Sequence, residues 1–201
     1  MPRLAQLGLA SAMALSASAA LAQQATPSAA PAAPTAVAAP AAPAATGMPA
    51  ARPADVASID AIIAALYDVI SGPAGAPRDW DRMRSLFAPE GRMGVIGARP
   101  DGSFALSTLT PDDYIARGSK TFATRGFFET EKARTTETFG QIAHVFSTYE
   151  ARHAKDEAKP FMRGVNSIQL IHDGKRWYVL SLIWRAEDAQ MQLPERYLRN
   201  G

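Results

Sequence analysis

Cysteine is missing altogether, and histidine occurs only three times in 201 residues. Without cysteine the chain has no structural disulfide, no thiolate ligand and no lipid attachment at a lipobox. His144, His153 and His172 are scattered and show no metal-ligand spacing, so no metal site is expected. GxGxxG and GxxxxGK[ST] are both absent, which leaves a nucleotide phosphate cradle unsupported, and there is no GxSxG elbow. No cofactor is expected. An excess of one charge is missing too: 21 Lys and Arg stand against 19 Asp and Glu. That balance gives no electrostatic case for nucleic acid or for an anionic membrane surface. After the first two dozen residues no apolar run is long enough to span a bilayer, so no insertion is expected once a leader is removed.

The leader itself is legible. Arg3 supplies a positive start, Leu4 to Ala20 form an apolar stretch of small residues, and Ala20-Leu21-Ala22 makes an A-x-A cleavage site. Residues 1–22 therefore read as a signal peptide, cut before Gln23, with a periplasmic or secreted destination. An uncleaved amino-terminal anchor is the rival, which the Ala- and Ser-rich run suits less well. Residues 23–53 are mostly Ala and Pro, with seven prolines and Arg52 as their only charge. Such a segment has little to bury and is expected to be an extended, disordered tether.

A single domain is expected over residues 54–201. Asp55 can cap a helix in which Val56, Ile59, Ile63, Leu66 and Ile70 recur at helical spacing, ended by Gly72-Pro73. A second helix spans Asp79 to Phe87 and stops at Pro89-Glu90-Gly91. Met93 to Ile96 and Phe104 to Leu109 read as short strands. Thr110-Pro111-Asp112-Asp113 then starts a third helix, with a capping threonine and proline at the first position. After Gly126 the period becomes two, giving four long strands: Phe127 to Phe139, Gln141 to Arg152, Phe161 to His172 and Lys175 to Arg185. Helices first and a meander afterwards indicate an α+β fold, with helices packed on one face of a bent sheet.

A two-residue turn at Asp173-Gly174 would set a register in which Leu170 faces Trp177, Ile168 faces Val179 and Asn166 faces Ser181. One face then carries Leu170, Ile168, Asn166 and Gly164 with Trp177, Val179, Ser181 and Ile183, joined by Ala143, Val145, Ser147 and Tyr149. The other carries Ile171, Gln169, Ser167 and Val165 with Tyr178, Leu180, Leu182 and Trp184, joined by Ile142, His144 and Phe146. Both faces are apolar enough to need covering. Helices would cover the first, and a second copy of the chain would cover the outer one, hence an expected homodimer. The last segment, Leu193 to Leu198, is expected to fold back over the domain edge.

This order of elements resembles the nuclear transport factor 2-like superfamily, in particular its SnoaL-like branch. The likeness is carried by SLFAPEGRM (residues 85–93) and, more specifically, by FMRGVNSIQLIHDGKRWYVLSLIWRAED (residues 161–188), and it covers about Ala54 to Leu198. It implies a cone of curved, mostly antiparallel sheet of about six strands, closed by about three N-terminal helices and often dimeric, around an internal cavity. It implies no single activity, since members include isomerases, cyclases, dehydratases and plain binding modules.

Asn166, Tyr149, Ser181 and Ser147 are the expected polar patch of that cavity, with Arg134 alongside Ser147 if Gly140 makes a tight turn. Polar groups of this kind in an apolar pocket suit a ligand, and equally they could satisfy one another and fix the register. Arg134 would suit a carboxylate or an enolate-like oxygen. Acid–base work needs a desolvated Asp, Glu or His. His144, with Glu137 as its cross-strand neighbour, has the right chemistry, but the register puts both on the outer face. Tyr67 and Asp68 on the first helix flank the cavity mouth, one of the two turned outward. Two functions are compatible with these residues. One is an exported module that binds a small apolar or amphipathic molecule. The other is a lyase or isomerase acting next to a carbonyl in the same cavity.

Overall fold

The computed structural model describes residues 47–200. The signal peptide and most of the Ala/Pro tether expected from the sequence lie outside these residues. Four helices and six strands follow in the order α1 (Pro53–Val56), α2 (Ile59–Ile70), α3 (Trp80–Leu86), β1 (Phe87–Ala98), β2 (Phe104–Leu109), α4 (Pro111–Thr124), β3 (Phe128–Phe139), β4 (Ile142–Arg152), β5 (Met162–His172) and β6 (Trp177–Ala186), with a short 3₁₀ turn at Glu195–Tyr197.

Local chemistry explains the helix boundaries. The expected first helix is split, because the Ser58 hydroxyl accepts the Ala61 N–H and starts α2 afresh. Asp55 caps nothing; its carboxylate takes both Nε and Nη2 of Arg82. Asp79 caps α3 through the Arg82 N–H. Thr110 and Asp113 form a reciprocal capping box at α4, with Pro111 in the first turn, as the sequence indicates.

The six strands form one open, curved, mixed sheet in the order β2-β1-β6-β5-β4-β3. All neighbours are antiparallel except β1 and β6, which run parallel. The strand expected to begin at Met93 starts directly after α3, at Phe87, with an irregularity before Arg92 that absorbs Pro89. The helices lie on one face of the sheet, and the core joins Ile62, Leu66, Met83 and Leu86 to Val145, Ile168 and Val179. The fold is therefore α+β, in the arrangement that the nuclear transport factor 2-like resemblance implies.

Register decides which side chains meet. Around Gly140, Phe139 pairs with Ile142 and Arg134 with Ser147; between β4 and β5, Ser147 pairs with Asn166 and Tyr149 with Gly164. These pairs follow the sequence expectation. The β5–β6 hairpin does not. Asp173 pairs with Arg176 and its carboxylate accepts the N–H groups of both Lys175 and Arg176, so Gly174-Lys175 form the loop, with Gly174 at φ 96°. Leu170 thus faces Val179 rather than Trp177. Leu180 is then an extra residue on β6, because Val179 opposes Leu170 while Ser181 opposes Gln169. A one-residue bulge exchanges the two faces beyond it. Leu182 and Trp184 point inward and Ser181 and Ile183 outward, the reverse of the expectation.

A second bulge occurs on β3. Glu131 opposes Tyr149 and Ala133 opposes Thr148, which leaves Lys132 as the extra residue. Beyond it Glu131 and Glu129 turn to the inner face. On the outer face, the carboxy-terminal segment lies across β3 and β4: buried Thr148 donates to the Tyr197 carbonyl at 2.5 Å, and the Tyr197 ring packs on Phe146 at 5.0 Å.

Candidate functional site

Between the inner sheet face and helices α2 and α4 is a cavity of about 370 Å³. Most of its wall is apolar, including Leu66, Met83, Leu109, Ile168, Leu182 and Trp184. Its polar groups are few and come from separate elements: Tyr67 from α2, Tyr114, Arg117 and Thr121 from α4, Glu129 from β3, Tyr149 from β4 and Asn166 from β5. An apolar enclosure with a small number of convergent polar groups is the usual form of a small-molecule site.

A chain of hydrogen bonds runs along one side of it. Ser147 donates to Glu131 Oε1 at 2.6 Å. Having one hydroxyl hydrogen, Ser147 must accept from Tyr67, whose oxygen lies 2.6 Å away. The Tyr67 oxygen in turn accepts from Asn166 Nδ2 at 3.1 Å, and the same nitrogen faces Glu129 Oε1 at 3.3 Å. Both amide hydrogens of Asn166 are thereby engaged, one on a phenol and one on a carboxylate. Asn166 holds Glu129 in place, and Tyr67 and Ser147 hold Asn166.

Two groups in the wall are chemically poised. Burial pushes the Glu129 carboxyl up to about 7, against the pull of the Asn166 hydrogen bond. At neutral pH it is close to half ionised, the state in which a carboxyl both accepts and returns a proton readily. The Tyr149 side chain is 1% exposed, and its hydroxyl is buried with no hydrogen-bond partner among the described residues. Gly164 makes room for that hydroxyl, since a Cβ there would lie 2.6 Å from it and collide with the Arg185 carbonyl. Burial also raises the Tyr149, Tyr114 and Tyr67 phenols, with Glu129 adding to each. All three therefore stay protonated and able to donate. An unpartnered donor in a buried place is costly.

The residues singled out in the sequence are divided by this geometry. Asn166 and Tyr149 line the cavity, and Ser147 lies behind it, fully buried, as Asn166's cross-strand neighbour. Ser181 is on the outer face opposite Gln169, moved there by the Leu180 bulge. Arg134 shares the Ser147 position, but its guanidinium runs to Asp60 at 2.7 Å and does not line the cavity. His144 and Glu137 are cross-strand neighbours on the outer face; His144 Nε2 is 3.1 Å from the Ser167 hydroxyl and Glu137 is exposed. Of the α2 pair, Tyr67 faces the cavity while Asp68 points out to Arg82. Glu129 and Tyr114 are absent from the sequence expectation. Strict alternation from Arg134 would put Thr130 and Lys132 inside, so only the Lys132 bulge brings Glu129 in. Among the described residues no group of three His, Cys, Asp or Glu is arranged to hold a metal ion.

No family model matches the chain, and no curated protein matches it. Solved structures do. An NTF2-like protein of unknown function from Pseudomonas putida is 14% identical, with a TM-score of 0.49, over 68% of this chain and 90% of the other. An NTF-2 like protein of unknown function from Silicibacter pomeroyi is 20% identical, with a TM-score of 0.43, over 65% and 94%. A protein of unknown function with a cystatin-like fold from Nostoc punctiforme is 10% identical, with a TM-score of 0.49, over 65% and 90%. At these identities nothing about chemistry is carried across.

Proposed function

We propose that the cavity binds a small, largely apolar molecule bearing a carbonyl, and that Glu129 exchanges a proton with the carbon beside it. The observation that carries this is the pairing of a carboxyl at about 7 with an unpartnered Tyr149 hydroxyl in one apolar enclosure. Glu129 in its ionised form would take the proton, and Tyr149 would donate to the oxygen on which charge develops. Asn166 has no free amide hydrogen and serves by holding Glu129. Among the described residues Glu129 is the sole carboxylate in the wall, which suits an isomerase, where one group takes and returns the proton. A lyase would in addition need an acid for its leaving group, a task for the Tyr114 or Tyr149 phenol. Binding without chemistry uses the same cavity, with protonated Glu129 as a hydrogen-bond donor.

Exchange of the α-hydrogens of 2-tetralone with D₂O, followed by NMR, tests the proposal. Acceleration by the full chain should rise with pH through about 7 as Glu129 ionises. It should fall about a hundredfold in Glu129→Gln and by a similar factor, roughly, in Tyr149→Phe. Binding of the ketone with no acceleration would leave a binding module and remove the enzyme. The chain acts, on this reading, as an exported protein, which the Arg3 to Ala22 leader supports, and as a homodimer through the part of the outer sheet face that its own carboxy-terminal segment leaves open.

A further inference from the structure

Among the described residues one charged residue besides Glu129 lines the cavity: Arg117, on α4. Tyr114, Arg117, Gly118, Thr121 and Phe122 all line it, at spacings of three and four that put them on one face of that helix. Along this stripe Phe122 is buried and Tyr114 half-buried, while Arg117 and Thr121 are exposed. Residues that line the cavity and also reach solvent mark its mouth. Among the described residues the Arg117 guanidinium has no carboxylate within 4.0 Å, and its one hydrogen bond is a 3.3 Å contact to the Ser107 hydroxyl. Asp113, one turn earlier on the same helix, is occupied by the backbone N–H and hydroxyl of Thr110. Arg117 still acts on Asp113 through space, but no carboxylate pairs with it, so the mouth presents an unpaired cation among the described residues and the interior presents a carboxyl.

We infer that the ligand is an amphipathic acid whose apolar body fills the cavity and whose carboxylate stays at the mouth on Arg117. The inference rests on the cavity being a ligand site, and it adds the ligand's class and orientation. A carboxylate pushed inward would lose its hydration beside Glu129 with no cation to meet it, which is strongly unfavourable. At Arg117 it keeps water on one side and gains a guanidinium able to bind both of its oxygens. The opposite end of the molecule is then the one delivered to Glu129 and Tyr149. An exposed pair of this kind adds little affinity. Its effect is to select acids over neutral molecules of equal shape and to fix which end enters.

The test uses 2-naphthylacetic acid and its primary amide, which differ in charge and hardly in shape. Both are titrated by calorimetry against the full chain, in low salt and at a pH where the acid is ionised. The acid should bind about fivefold tighter than the amide. Arg117→Gln should erase that preference, Arg117→Lys should keep part of it, and added salt should weaken it. Equal binding of acid and amide by the wild type overturns the inference and leaves the cavity reading standing, as does a preference that survives in Arg117→Gln. Ile168→Trp, which fills the cavity, should abolish binding of both probes. If it abolishes neither, or if neither probe binds the wild type, the cavity reading fails and the inference fails with it.

Discussion

Burial and the Asn166 amide pull the Glu129 carboxyl in opposite directions, and burial wins. That balance has a measurable consequence for stability. In the unfolded chain the group titrates near 4.5; in the folded chain it titrates at about 7. Below 4.5 it is protonated in both states and contributes no difference. Between the two values the folded state alone keeps the proton, so stability falls as pH rises. Above 7 the full penalty, roughly 3 kcal/mol, is in force. Glu129→Gln removes the ionisation, so urea denaturation should show the variant gaining on wild type across that window and holding a constant lead above it. Asn166→Leu deletes the hydrogen bond that favours the charged form. It should move the Glu129 titration, followed by carbon NMR, above 7, and should lower stability by about 1–3 kcal/mol because the polar groups of Tyr67 and Glu129 lose their partner. Gly164→Ala forces a methyl against the Arg185 carbonyl and the Tyr149 hydroxyl. A loss of about 2–3 kcal/mol, read as a lower Tm, is expected.

The bulges at Lys132 and Leu180 explain, at the scale of elements, where the sequence could be read and where it could not. Alternation placed Asn166, Ser147 and Tyr149 together because β4 and β5 pair without interruption. It failed for Ser181 and for Glu129 because each lies beyond an extra residue, and each strand has the same composition with or without it. Neither Lys132 nor Leu180 is a glycine or a proline, the residues that would have signalled a break. The hairpin departs from the sequence expectation for a related reason: Asp173 stands just before the loop, and its side chain bridges the loop from outside. Deleting Leu180 should therefore regularise the ladder, since Val179 and Ser181 become adjacent and keep Leu170 and Gln169 as partners. Leu182 and Trp184 then still oppose Ile168 and Asn166 on the inner face, so probe binding should survive the deletion; its loss would show that the bulge itself shapes the wall. The helix starts were legible, since Thr110 with Asp113 is local chemistry that no tertiary contact overrides.

For the molecule as a whole, composition and the helix-then-strand order sufficed for the α+β class, and the single sheet with helices on one face follows from it. What alternation could not supply was the parallel contact of β1 with β6, because no local signal links residues so far apart in sequence. Dimerisation is a matter at this scale. Ile142, Leu180 and Ile183 remain exposed on the outer face beside the strip covered by Tyr197. If they meet a second copy, sedimentation should give a dimer for wild type and a monomer for Leu180→Lys with unchanged Tm. A wild-type monomer would withdraw the dimer.

The strand order carries one more consequence. β6, the last strand among the described residues, lies in the middle of the sheet, between β1 and β5. On the ribosome the β1–β2 hairpin and the β3–β4–β5 meander can each form early, but they have no edge in common until residues 177–186 emerge to join them. Until then the nascent polypeptide cannot close its sheet or roof its interior. The strand that closes the sheet is thus made after all five of the others, and the halves it joins must wait for it.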